Sequence, residues 1–269
     1  MFKRPYLIIM LLAVVAFGCS KYQKLLKSSD MNLKYDAAMM YYEQEKYDKA
    51  MPLLEELIPL FRGSEKAERV YFCYCYCNYQ LDLLYASAYH FKKFAETYPL
   101  SEHAQQMLFM HAYSNYLLSP ISSLDDTDTK KAINAFQLFI NTYPEHELVD
   151  SSNVMMDKLR VKLEEKSFAN AKQYYRIYQF KAAIIALNNT LLDYPETNHR
   201  EEILYLILKS NFLLAENSIE KKKLQRINDT IEAYYTFVDS FKESKYLKEA
   251  QTIFAKASEM RDEYKLKNS

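Results

Sequence analysis

The sequence predicts an all-α protein, a stack of about five helix pairs with a closing helix at its end. Three observations carry this. The 269 residues are 49% hydrophobic yet include two glycines, so the turns of a β-rich fold are not provided for. The stretch AMMYYEQEKYDKA at 38–50 aligns without a gap to AKQYYRIYQFKAA at 171–183, with Ala38, Tyr41, Tyr42, Tyr47 and Ala50 answered by Ala171, Tyr174, Tyr175, Phe180 and Ala183. A helix-closing word also recurs, as FKKFAETYP at 91–99 and FQLFINTYP at 136–144, with looser copies LNNTLLDYP at 187–195 and YYTFVDSFK at 234–242. Its aromatic falls at Phe61, Tyr98, Tyr143, Tyr194 and Phe241, in steps of 37, 45, 51 and 47 residues, the period of a helical-repeat array with insertions.

Taken in order, the first element is an address. Lys3 and Arg4 precede a twelve-residue apolar run from Tyr6 to Phe17, and Gly18-Cys19 follows. Twelve helical residues reach about 18 Å, short of a hydrocarbon core of about 30 Å, so residues 1–18 predict a secretory signal and not an anchor helix. With cysteine at the cleavage position the segment resembles a bacterial lipoprotein signal, in which Cys19 becomes the lipidated first residue and 19–30 a linker. Ala16 and Phe17 depart from that class, which usually has Leu and then Ala or Ser there. Ser20-Lys21 with no acidic run after them implies, by the same resemblance, delivery to the outer membrane, facing the periplasm.

Amphipathic spacing places the helices at 32–45 and 48–61, 65–81 and 84–97, 101–118 and 129–142, 147–178 and 180–193, 199–217 and 223–240, with a cap at 244–266. Proline after Tyr98, Tyr143 and Tyr194 ends the second helix of a pair, since it brings no N–H to continue the ladder. Pro52 is expected to kink its helix. SPISSLDDTDT at 119–129 reads as a solvated loop. From Glu147 to Tyr178 the helical pattern runs without Pro or Gly, a rod expected to join two halves, 31–145 and 146–266, and to fix the angle between them. An aromatic, a small residue nine positions on, and proline about eleven further resembles the tetratricopeptide repeat. Tyr41 with Ala50, Tyr79 with Ala88 and Tyr174 with Ala183 keep the nine-residue step, although the repeat's usual Trp is absent. The resemblance implies a right-handed superhelix.

Composition excludes several functions. Lys+Arg and Asp+Glu stand at 35 each, and loss of Lys3 and Arg4 with the signal leaves a net charge of about −2 by the same count. Nucleic-acid binding by counterion release needs clustered cations, so none is expected. Phosphate-cradling loops need glycines that this chain lacks. None of His90, His103, His111, His146 and His199 lies four residues from another, so no helical zinc pair forms, and these histidines read as surface or groove residues. Cys73 and Cys77 share a helix face while Cys75 turns away, which denies one metal all three thiols and reads as free, partly packed cysteines. Asp125, Asp126 and Asp128 lack the glycine and terminal Glu of a calcium loop. No GxSxG or other nucleophile with its base is present. The expectation is no catalytic residue, no metal and no cofactor beyond the lipid on Cys19.

In tetratricopeptide units the first helix lines the groove. Carried onto this chain, the groove comprises Tyr35, Met39 and Tyr42, then Cys73, Tyr74 and Cys77, then Met110 and His111. Such a trough suits an extended peptide ending in aromatic residues. The same residues read equally as core between repeats.

The order of elements, with KLEEKSFANAKQYYRIYQFKAAIIALNNTLLDYPET at 162–197 as its most specific part, resembles the BamD family, lipoproteins of the outer-membrane β-barrel assembly machinery. REEILYLILKSNFLLAENS at 200–218 and SKYLKEAQTIF at 244–254 look like its Bacteroidetes branch. The resemblance implies a non-enzymatic protein that holds unfolded outer-membrane proteins on its N-terminal repeats. It also implies docking of the barrel insertase and other subunits through the C-terminal repeats. Proteobacterial members often carry Asn-Arg where this chain has Ile185-Ala186, so that arginine's contact is not transferred. The alternative is another envelope repeat lipoprotein, scaffolding cell-wall or division proteins.

Overall fold

The computed structural model describes residues 21–268; the expected signal at 1–18 and the expected lipidation site Cys19 lie outside the described residues. Within them all regular structure is helical. A short helical stretch at 21–26 precedes α1 (Met31–Glu43), α2 (Tyr47–Leu60), α3 (Ala67–Gln80), α4 (Leu84–Thr97), α5 (Ala104–Leu118) and α6 (Thr127–Thr142). The long α7 (Val149–Arg176) is followed by α8 (Phe180–Asp193), α9 (Arg200–Glu216), α10 (Glu220–Ser240) and the closing α11 (Leu247–Lys267). The chain divides into two compact units, one running to Pro120 and resuming at Asp126–Leu159, the other comprising Ile121–Asp125 and everything from Arg160. In the first, each helix from α1 to α5 packs on its successor and α1 also touches α3. In the second, α8 packs on α9, α9 on α10 and α10 on α11, with α9 also touching α11. Helices that meet both their pair-mate and the first helix of the next pair give the tetratricopeptide stacking predicted above.

Three of the turns inside pairs share one geometry, built without glycine. Glu45, Asp82 and Tyr178 hold φ of 58°, 58° and 61°, the left-handed conformation that ends a helix in a Schellman motif. The paired bonds are present each time: Lys46 N donates to the Tyr41 carbonyl at 2.9 Å and Glu45 N to that of Tyr42 at 3.0 Å. Leu83 to Asn78 with Asp82 to Tyr79, and Gln179 to Tyr174 with Tyr178 to Tyr175, repeat the pattern. At the other end α1 is capped by Asp30, whose carboxylate accepts from Asn32 N and Leu33 N at 3.0 Å each, meeting two of the donors a helix start leaves open.

Between pairs the chain turns at the recurring aromatic. Tyr98, Tyr143 and Tyr194 have φ of −123°, −132° and −133°, as expected before proline. Phe241 adopts φ −138° with Lys242 after it, so proline is not the sole cause. The aromatic packs back on the ring one turn earlier, Tyr98 on Phe94 at 5.1 Å and Phe241 on Phe237 at 6.1 Å.

The cores follow the large-against-small pattern. In the first repeat Ala38 and Ala50 are fully buried with Leu53, Leu54, Leu57, Val70, Cys73 and Cys77, and a second cluster joins Cys75 to Phe91, Phe94 and Met107. The second unit's core gathers Ala171, Ala183, Leu187, Ile203, Leu208 and Phe237, among others. α2 runs as one helix through Pro52 and Pro59. Two expectations are corrected. The three cysteines are wholly buried and free, not partly packed. The aspartates of the 119–129 loop are engaged, because Asp126 pairs with Lys130 at 3.0 Å and Asp128 accepts the Tyr85 hydroxyl at 2.6 Å while pairing with Lys131 at 3.0 Å. Those pairs form as α6 starts at Thr127 and brings its own lysines one turn on.

Candidate functional site

The eight groove positions separate into three environments. On α1, Tyr35, Met39 and Tyr42 lie three and four residues apart on one face. All three are half-buried and pack on the first core. Tyr35 meets Phe61 edge-on at 5.7 Å under the Lys66 ammonium at 4.3 Å. Tyr42 meets Tyr47 at 5.8 Å, with the Arg69 guanidinium 5.9 Å from its ring.

Cys73 and Cys77 on α3 form the floor beneath them with no exposed surface, and the Cys73 thiol lies 3.9 Å from the Met39 sulfur. Burial pushes the Cys73 thiol up to about 11 and that of Cys77 to about 12, and Cys75 is raised well above its ordinary value for the same reason. All three stay protonated at neutral pH, which removes the thiolate that redox or metal chemistry requires. Tyr74 is buried in the first core and sets its ring edge-on to His90 of α4 at 4.9 Å. These α3 residues are core, because α3 is enclosed by α1, α2 and α4 together. Met110 belongs with the Phe91–Met107 cluster.

His111 stands in a different place. It lines a cleft of about 380 Å³ between α4, α5 and α6, with Lys92, Asn115, Lys131, Asn134, Ala135 and Leu138. Its Nδ1 lies 2.7 Å from the Ala88 carbonyl, an acceptor, so Nδ1 carries the proton. Burial lowers its pKa despite that bond, and the ring is neutral at neutral pH with Nε2 left as an acceptor. Asn115 is fixed one turn on by a bond from its amide to the His111 carbonyl at 2.8 Å. Lys92 has Glu96 at 3.9 Å and Lys131 has Asp128 at 3.0 Å, so the two cations at the mouth are each balanced by a neighbour on their own helix.

Sequence reasoning did not find this cleft, because three of its five polar lining residues, Lys92, Lys131 and Asn134, sit on second helices. One signal was available. Asn78 and Asn115 are 37 residues apart, the first repeat step, and each amide donates to the carbonyl four residues back, Asn78 to Tyr74 and Asn115 to His111, at 2.8 Å. Two exposed aromatics beside it also lie on a second helix. Tyr85 and Tyr89 on α4 are 63% and 62% exposed and fall on the same face as Lys92.

A protein-family model described as YfiO, outer membrane lipoprotein, matches residues 27–227. The chain belongs to this family. It is the BamD family of the resemblance drawn from 162–197, a family of non-enzymatic accessory lipoproteins of outer-membrane assembly. The match spans both compact units and stops within α10. Comparison with curated proteins finds no match. Among the described residues no helix is long and apolar enough to cross a membrane, and no group of three or more His, Cys, Asp or Glu is placed to hold a metal ion.

Proposed function

We propose that this BamD-family protein is a non-enzymatic scaffold of the β-barrel assembly machinery, held by a lipid on Cys19 at the periplasmic face of the outer membrane. Its N-terminal repeats receive unfolded outer-membrane protein segments, and its C-terminal repeats, 146–266, dock the barrel insertase. The observation that carries the receptor role is the face of α4 on which Tyr85, Tyr89 and Lys92 run into the His111 cleft. Exposed aromatic rings beside lysines and asparagines suit an extended peptide whose last side chains are aromatic and whose end is a carboxylate. Each cation would exchange a same-helix carboxylate for that of the peptide. The docking role draws support from apolar exposure around the α7–α8 turn, where Tyr174, Ile177, Tyr178 and Ile185 all face solvent.

The test is a titration of the mature protein with a labelled peptide ending in Phe. Lys92→Glu with Lys131→Glu should weaken binding about tenfold or more. Amidating the peptide's end should weaken the native protein equally and the variant no further. Equal affinity for acid and amide in the native protein would remove the cleft from the site.

A further inference from the structure

The segment next to Cys19 is built into the first unit. Tyr22 donates its hydroxyl to the Lys49 carbonyl at 2.9 Å and sets its ring against Tyr41 at 5.7 Å, and Leu25 and Leu26 pack on the same core. Lys34 is 3% exposed. Its ammonium donates to the Leu26 carbonyl at 2.9 Å and pairs with Glu56 at 2.5 Å. A cation at the last carbonyls of the 21–26 helical stretch completes bonds that the helix leaves open, and its burial pins the end of the segment to α1.

The opposite side of this segment is unlike the rest of the chain. Lys21, Lys24 and Lys27 are all exposed. Spaced by three, they fall on the side of the helical turn facing away from Tyr22, Leu25 and Leu26. Residues 21–27 contain no acid, although the chain as a whole balances 35 basic with 35 acidic residues. The side that packs is apolar, and the side that does not carries three lysines with Gln23 and no acid.

We infer that Lys21, Lys24 and Lys27 form a surface that lies on the phosphates of an anionic bilayer and lays the first repeat against it. This rests on the reading of Cys19 as the lipidated residue. Lys21 is two residues beyond Cys19, so their Cα atoms are at most about 7 Å apart, within a Debye length of about 8 Å. An anchored chain therefore carries the three ammoniums into the headgroup layer. They extend along about 9 Å of helix, a row that meets several lipid phosphates and does not enclose one free anion. Several acyl chains already hold a lipoprotein firmly, so the lysines act on orientation and not on retention.

The experiment uses the native mature protein reconstituted into phosphatidylcholine vesicles, alone or with about a third phosphatidylglycerol. A water-soluble amine-acylating reagent is applied, and modification of Lys21, Lys24 and Lys27 is followed by peptide mass spectrometry against exposed Lys256. On the anionic vesicles the three rates should fall about fivefold relative to neutral vesicles and recover at high salt, with Lys256 unchanged. Equal rates on both vesicle types, or protection that ignores salt, would overturn the inference. The intact mass separates the two readings. A lipidated chain without salt-sensitive protection defeats the lysine surface alone. An unlipidated chain that is still protected on anionic vesicles upholds the lysine surface and defeats the anchor.

Discussion

Tyr178 is a tyrosine where helices ordinarily end in glycine. Its φ of 61° places it in the left-handed region, which costs an L-residue about 1 kcal/mol or more because Cβ crowds the following carbonyl. Its side chain is 79% exposed, so little packing offsets that cost. Tyr178→Gly should therefore stabilise the second unit by about 0.5–1 kcal/mol, read as a higher urea midpoint. Asp82→Gly should gain less, since aspartate tolerates this conformation better. A loss of stability in Tyr178→Gly would mean that its ring contact with Phe180, at 6.1 Å, matters more than the backbone. At this scale the sequence was partly legible. That Cys73 and Cys77 share a face and Cys75 leaves it follows from helical spacing, and the two clusters bear it out. Which face was core did not follow. α3 carries apolar residues at nearly every phase, from Val70 through Tyr74 and Cys75 to Cys77, so no polar stripe marks the side left open.

The joint between pairs is the element that local spacing concealed. Ser101 donates to Glu68 at 2.5 Å and accepts from His103 N at 3.0 Å, and the His103 ring lies 4.5 Å from that of Phe72. Thr197, Glu164, His199 and Phe168 repeat this, with a donor bond of 2.5 Å, an acceptor bond of 3.1 Å and stacked rings at 4.2 Å. Every member of the first joint is 96 residues before its counterpart. The partners are 33 residues apart along the chain, too far for a helical period to reveal, and only the full-length internal offset would have found them. Variants of the joint, in which Lys66 lies over Tyr35 at 4.3 Å and Tyr246 stacks on Tyr205 at 4.1 Å, hide it further by changing residue type. Thr197→Ala should cost about 1.5–3 kcal/mol, the range for a hydrogen bond to a charged acceptor. A double-mutant cycle with Glu164→Gln should give a coupling of about 1 kcal/mol. Additive losses would show that the hydroxyl and carboxylate act separately. Element positions, by contrast, were read closely, with α4 and α8 at 84–97 and 180–193 as expected. Helix-closing aromatics and prolines are local signals, and locality is what spacing reports.

On the scale of the molecule, a chain with two glycines and no tryptophan builds two compact helical units, with α7 running from one into the other. The three cysteines of α3 are absorbed by the cores, while the Tyr85–Tyr89 face of α4 and the α7–α8 turn leave aromatic and aliphatic side chains exposed. The central claim is that these surfaces serve β-barrel assembly. The most direct measurement is crosslinking of the native protein in intact envelopes, followed by its purification and identification of what is attached. The account predicts recovery of the barrel insertase in near-stoichiometric amount, with crosslinks to it from residues 146–266. Recovery of cell-wall or division proteins without the insertase would contradict it.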